Sequence, residues 1–167
     1  EELRGRGELK NLCTNDAPVT ITSGESRRML TIEPVKVGDT FAVLPRTADG
    51  AATVSQSATG LVPGRKYVLR FAAFDVDDVR AARFAPRRIG VEAELEGAEI
   101  DRTLTWEHVD ERPEKDVKGA RINYRQIVFT AKSAEVGVTF SNVSAKPGEK
   151  SGVNYISLLP YLPRLRD

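Results

Sequence analysis

The 167 residues hold one cysteine, one histidine, one tryptophan and one methionine. A single thiol, Cys13, cannot close an internal disulfide, so cysteine usage assigns no redox compartment. Its flanks, Asn-Leu-Cys-Thr, read as a strand in which the thiol is a small buried hydrophobe. A single imidazole, His108, excludes His-rich metal sites and paired-His motifs. A Cys13–His108 dyad would require the two to converge, and neither has a local signature of such a site. No Gly-x-Ser-x-Gly elbow or P-loop occurs. No catalytic constellation is expected, and the chain does not read as an enzyme. An excess of one charge is lacking too: 25 Lys and Arg against 24 Asp and Glu leave a net charge of +1. A dedicated nucleic-acid binder carries a clear basic excess, so no nucleic-acid partner is expected. No stretch approaches the ~20 apolar residues of a membrane span, apolar runs such as Phe71–Phe74 being only four residues long. The chain opens Glu1-Glu-Leu with neither Met nor signal peptide, which reads as a piece excised from something longer.

Hydrophobic residues at 40% and charged residues at 29% describe an ordinary globular chain. At this length a chain buries roughly 70% of its unfolded surface and needs no metal or disulfide staple. Residues 1–8, charged and Gly-rich, read as a flexible tail. Residues 9–163 read as one domain and 164–167 as a second tail.

Within the domain, short runs of period two are separated by Gly, Pro, Asn or Asp. The strongest is Arg65–Phe74, with Tyr67, Leu69, Phe71 and Ala73 on one face and Val68, Arg70, Ala72 and Phe74 on the other. Leu61-Val-Pro-Gly64 before it is a turn. Ile89–Glu96 alternates Ile89, Val91, Ala93 and Leu95 inward with Glu92, Glu94 and Glu96 outward. Gly97 turns the chain into Glu99–Glu107, where Ile100, Leu104 and Trp106 share a face. Tyr124–Ala131, Val136–Ser141 and Val153–Leu162 form a closing set of strands. Weaker ones are expected at Leu9–Thr14, Met29–Glu33, Thr40–Leu44 and Ala52–Ala58. Asp77–Phe84 is long enough for one or two helical turns capped by Asp77 or Asp78. Nine or ten strands with almost no helix predict an all-β fold, a two-sheet antiparallel β-sandwich.

Three stretches in order are similar to the carbohydrate-binding-module branch of the galactose-binding-like jelly rolls. Leu9-Lys-Asn-Leu-Cys-Thr-Asn15 resembles the family's opening strand. Val54-Ser-Gln-Ser-Ala-Thr-Gly-Leu-Val-Pro-Gly-Arg-Lys-Tyr-Val-Leu-Arg-Phe71 resembles its Q-x-v-x-G-L-x-P-G-x-x-Y-x-L-x-F pattern. Tyr124–Ala131, Val136–Asn142 and Gly152-Val-Asn-Tyr-Ile-Ser-Leu-Leu159 resemble its closing three strands. The resemblance spans most of residues 9–160. It implies a jelly-roll sandwich and a non-catalytic carbohydrate-binding module on a secreted or surface glycan-active protein, such as a glycoside hydrolase. The expected setting is extracellular, periplasmic or cell-surface, and the partners a poly- or oligosaccharide and neighbouring domains of a longer chain.

The same resemblance implies a structural calcium, held by an acidic residue in an opening Asn-Gly-x-Phe-Glu and by an Asp after the closing Tyr-Ile. Here the opening is Asn15-Asp-Ala-Pro-Val19, and Tyr155-Ile156 is followed by Ser157. Calcium takes six to eight oxygen ligands with charge among them. With both usual carboxylates missing no cofactor is expected, Asp16 being a partial substitute. A Tyr, Tyr124, also stands where the family usually opens its third-last strand with Trp. Alternatives to sugar binding are a structural or interdomain sandwich with no sugar affinity and a protein-interaction domain.

Sugar recognition combines an aromatic platform against the ring's C–H face with planar polar side chains on its hydroxyls. At 7% aromatic content, candidates are few. Trp106 precedes the loop Val109–Ala120. By alternation with Ile100 and Leu104 it is a core tryptophan, and a binding-face platform is the alternative. His108 follows at the loop entrance, as a surface histidine or a hydroxyl donor. Tyr124 and Gln126 lie opposite Ile127 and Phe129, hence on the outer face if the latter pair is core. Arg80, Arg83, Arg87 and Arg88 form the densest basic run. Arg87 and Arg88 are candidates for uronate or sulfate groups, the alternative being that the run neutralises Asp75, Asp77 and Asp78. The same aspartates, and Asp110, Glu111, Glu114 and Asp116, read as solvated loop charges, with a cation site the sharper alternative for Asp75-Val-Asp77-Asp78.

Overall fold

The computed structural model describes residues 4–6, 19–23, 28–32, 40–81, 83, 87–109 and 122–162. Among them are twelve strands and one short helix. The strands are β1 (Arg4–Arg6), β2 (Val19–Ser23), β3 (Arg28–Ile32), β4 (Thr40–Pro45), β5 (Thr53–Thr59), β6 (Lys66–Asp75), β7 (Glu92–Glu96), β8 (Ala98–Ile100), β9 (Trp106–His108), β10 (Asn123–Ala131), β11 (Glu135–Ser141) and β12 (Lys150–Pro160); the helix is α1 (Val76–Arg80). A large antiparallel sheet runs β1-β4-β12-β6-β10-β8, with β9 also paired to β10; a smaller one runs β5-β11-β7. β2 and β3 pair as a two-stranded ribbon. The protein is an all-β, two-sheet antiparallel sandwich.

The core lies between the sheets. Tyr67, Leu69, Phe71 and Ala73 of β6, with Phe129 and Ala131 of β10, face Val136, Val138 and Phe140 of β11. Phe71 crosses to Phe140 edge-to-face at 4.9 Å, and Tyr67 stacks on Phe129 at 6.0 Å. Each fully buried side chain of this kind contributes roughly 1.5–3 kcal/mol by leaving water. The turn before β6 is tied to that core: Val62 N–H donates to the Tyr67 hydroxyl (2.8 Å), and Gly64 takes φ +81°.

Several local differences from the sequence reading have identifiable causes. The helix is Val76–Arg80, capped by Asp75, whose carboxylate accepts the Asp78 N–H (2.8 Å). Asp75 is extended at the end of β6, so it can cap where Asp77 and Asp78, already helical, cannot. The second strand starts at Glu92, yet Ile89 and Val91 remain buried as their alternation demands. Side chains replace the ladder there: Asn123 Oδ1 accepts Ile89 N–H (2.6 Å) and Arg125 donates to Ile89 O. In place of an entirely free tail over residues 1–8, Arg4–Arg6 pair with β4, whose far side is taken by β12. A strand edge offers backbone groups to any extended segment, whatever its hydrophobic pattern. The expected strand Leu9–Thr14, Cys13, Asp16, residues 110–121 and the tail 164–167 lie outside the described residues.

Candidate functional site

The second face of the large sheet follows from the parity of β6 and β10. With Leu69, Phe71, Ile127 and Phe129 turned to the core, Val68, Arg70, Ala72 and Phe74 and their neighbours Tyr124, Gln126 and Val128 point away from the small sheet. One end of this outer face is a second apolar cluster, Phe41, Phe74 and Val76, with Val43, Val79 and Ile122 against it. Its middle is polar and aromatic.

Trp106 reaches the outer face through a break in the ladder. Ile100 of β8 pairs with Phe129 of β10, and Trp106 of β9 pairs with Gln126. The first strand therefore spends six residues where β10 spends three. The surplus is odd, so the face flips: Ile100 shares a face with core Phe129, whereas Trp106 shares one with Gln126. The expectation that Ile100 and Trp106 share a face is thereby corrected. The excursion, Asp101–Thr105, is closely bonded. The Asp101 carboxylate accepts from the Thr103 N–H (3.1 Å) and hydroxyl (2.6 Å), and the Thr105 hydroxyl donates to Asp101 O (2.8 Å). The Thr105 oxygen in turn accepts Val128 N–H (3.1 Å), which would otherwise lose its ladder partner. Lys66 lies 2.6 Å from the Asp101 carboxylate and, with Thr103, lowers its pKa to about 2.

A second break lies on the other side. Asn154 of β12 pairs with Ala72 and Ser157 with Arg70, so β12 spends three residues against two. The extra residue makes a β-bulge, with Tyr155 at φ 52°, a region non-glycine residues seldom enter. The bulge keeps both Asn154 and Ser157 on the outer face and leaves Ile156 50% exposed.

The two breaks bracket one cross-strand row, Trp106–Gln126–Arg70–Ser157, with His108–Tyr124–Ala72–Asn154 beside it. Four predicted residues, Trp106, His108, Tyr124 and Gln126, are thus neighbours. Trp106 and His108 are half-buried, while Tyr124 and Gln126 retain only 8% and 7% exposure. Gln126 is committed at both ends: its Oε1 accepts from Arg70 Nε (3.1 Å) and its Nε2 donates to Leu104 O (3.4 Å). Trp106 Nε1 is buried and has no hydrogen-bond partner among the described residues, a position that costs roughly 1–3 kcal/mol. Arg70 is exposed, and its terminal nitrogens make no hydrogen bond or ion pair with any described residue. The sequence reading passed over Arg70, although its parity within Arg65–Phe74 already set it opposite the core.

Arg87 and Arg88 are not part of this row. Arg87 spans Asp75 (3.0 Å), Asp78 (3.5 Å) and Glu149 (3.0 Å), and Arg83 reaches Asp78 (2.7 Å). Lys150 lies 3.6 Å from Asp77. Asp75, Asp77 and Asp78, the alternative cation site of the sequence, therefore face arginine and lysine. Arg88 is held by Glu92 (2.6 Å) and Glu107 (2.9 Å). Glu107, between Trp106 and His108, points to the opposite face, where it lies 3.3 Å from Arg125 Nε. Arg125 is only 5% exposed, its guanidinium 5.8 Å from the Phe71 ring centre. That 3.3 Å separation pairs the charges but lacks hydrogen-bond alignment, so Arg125 Nε stays without an acceptor. Burial, then the like charge of Arg88, lowers the Arg125 pKa from its ordinary value. The hydrogen bond from Arg88 holds Glu92 below the usual glutamate range. This network joins β9 and β10 of the large sheet to β7 of the small one.

Among the described residues no three His, Cys, Asp or Glu side chains converge as a metal site needs. None of their helices is long and apolar enough to cross a membrane. In comparisons with known proteins, no family model, no curated protein and no solved structure matches the chain.

Proposed function

We propose that this chain is a non-catalytic carbohydrate-binding module whose site is the row Trp106–Gln126–Arg70–Ser157. The supporting observation is that two separate breaks in strand pairing, the Asp101–Thr105 excursion and the Tyr155 bulge, immediately precede the two ends of this one row. Bulges concentrate where a fold re-aims a side chain toward a ligand. The row offers a half-buried indole for the apolar face of a sugar ring and an exposed guanidinium, held by the buried Gln126 amide, for its hydroxyls. Such a module acts by raising the concentration of an attached catalytic domain on its polymer, which needs no tight site. A secreted or surface glycan-active parent is the setting this reading implies.

Affinity electrophoresis of the chain through neutral and acidic polysaccharides tests it. Retardation by one class that Trp106→Ala removes is the expected result; no retardation across a broad panel overturns the reading. A second reading, an interdomain sandwich, draws on β12 and the residues after it, where Ile156 is 50%, Leu159 51% and Leu162 78% exposed. A module without sugar affinity that binds its neighbouring domain through this edge would be the corresponding result.

A further inference from the structure

Resting on the reading of the row as a sugar site, we infer that its ligand is an acidic saccharide, its carboxylate or sulfate taken by the free end of Arg70. Two other described cations on this face are paired: Lys66 lies 2.6 Å from Asp101, and Lys150 lies 3.6 Å from Asp77. The arginines of the basic run, Arg83, Arg87 and Arg88, each have one or more carboxylates. Among the described residues Arg70 has none. Arg46, Arg65 and Arg102 also make no ion pair with a described residue; Arg46 donates from Nε to Ala145 O (3.4 Å), away from this row, and no described side chain holds Arg65 or Arg102.

Arg70 is aimed on the row itself. Its Nε donates to Gln126 Oε1 (3.1 Å), and Gln126 is buried and anchored on Leu104 O (3.4 Å). The bond to Nε restrains the guanidinium plane and leaves the edge formed by the two terminal nitrogens without a described partner. That edge is the fork that matches two oxygens of a carboxylate or sulfate. Little ordering of the side chain remains to be lost on binding, which is the benefit of a preorganised donor. Trp106 stands two strands away along the same row, about 10 Å between backbones at the usual strand spacing. A ligand of two or more sugar units would therefore stack on the indole and present its acid group to Arg70.

The test uses the whole chain in affinity electrophoresis against polygalacturonate, its methyl ester, dextran sulfate and dextran, with Arg70→Gln, Arg70→Lys and Trp106→Ala. Loss of one charge-assisted pair should weaken binding to an acidic polymer roughly tenfold or more in Arg70→Gln. Binding to that polymer should also fall as salt is raised. Arg70→Lys should recover only part, because it restores charge without the planar fork. Preference for polygalacturonate over its ester assigns a carboxylate, and preference for dextran sulfate over dextran assigns a sulfate. Binding to neutral and acidic polymers alike, lost in Trp106→Ala but unchanged in Arg70→Gln, overturns the acidic ligand while the sugar site stands. Retardation by none of the four and by no other polysaccharide overturns both. Arg70 is exposed, so unchanged urea midpoints of its variants will separate lost binding from lost folding.

Discussion

Replacing Gly152 by alanine should be among the most costly single-methyl additions to this protein. An added Cβ would fall 2.2, 2.4 and 2.8 Å from three carbons of the Phe74 ring, where carbon atoms rest at about 3.5–4.0 Å. The ring has nowhere to retreat: it is fully buried, stands edge-on against Phe41 at 5.2 Å, and packs with Val76. The backbone cannot yield either, because Gly152 is paired on both sides, with Phe74 of β6 and Val43 of β4. Overpacking of this kind costs typically about 1–3 kcal/mol, and the absence of slack points to the upper part of that range. Reduced freedom of the unfolded chain returns about 0.4–1 kcal/mol. A net loss of about 2 kcal/mol should lower Tm by roughly 4–8 °C in a domain of this size. Urea unfolding followed by far-UV circular dichroism would read it as a lower midpoint with unchanged slope. Phe74→Leu in the same chain supplies the control. The double variant should be at least about 1 kcal/mol more stable than the sum of the single losses, since trimming the ring relieves the clash. A Gly152→Ala protein within about 0.5 kcal/mol of the parent, or a strictly additive cycle, would refute the packing argument.

Thr105→Val keeps the shape of the side chain but removes the oxygen that accepts Val128 N–H, for a loss of about 1–3 kcal/mol. Hydrogen exchange at the Val128 amide should accelerate selectively, and unchanged protection would show that the hydroxyl does not close the excursion. Asn142, fully buried, accepts Ala52 N–H (2.8 Å) and donates to Leu44 O (2.7 Å). Asn142→Ala strands both backbone groups and should cost about 2–5 kcal/mol in denaturant unfolding, with a loss under 1 kcal/mol counting against the linkage. Glu92 is held below its ordinary value of 4.5 chiefly by the hydrogen bond from Arg88. Its folded-state pKa is thus depressed, so its contribution is complete above the unfolded value and disappears as pH falls through the lower folded value. The stability gap between parent and Glu92→Gln should be widest near neutrality and close below about pH 4; a gap that widens on acidification would reverse the sign.

The sheet faces were legible because alternation is a property each strand carries within itself. Tyr67, Leu69, Phe71 and Ala73 face the core between the sheets, and Val68, Arg70, Ala72 and Phe74 face the other way, in the chain as in the fold. Ile89 and Val91 are buried even though no ladder forms there, since burial follows the apolar side chain and not the strand assignment. Candidate site residues were legible as a set of types, aromatic and planar polar, but not as a place. Tyr124 and Gln126 could be put opposite Ile127 and Phe129 by parity alone, whereas their burial depends on what packs over them.

By itself, then, the sequence determined an all-β sandwich, the inward faces of its long strands, the turn at Leu61–Gly64, and a near-balance of charge. The tertiary structure decided which face Trp106 occupies. The count from Ile100 to Trp106 is even, and only the register against β10 reveals that three of those residues are surplus. It also decided which of the candidate arginines are paired with acids. Arg87 and Arg88 are surrounded by acids brought from residues 75, 78, 92, 107 and 149, while Arg70 meets an amide. Parity within a strand is local, but register and charge pairing are relations between distant segments, and they exist only once those segments are packed together.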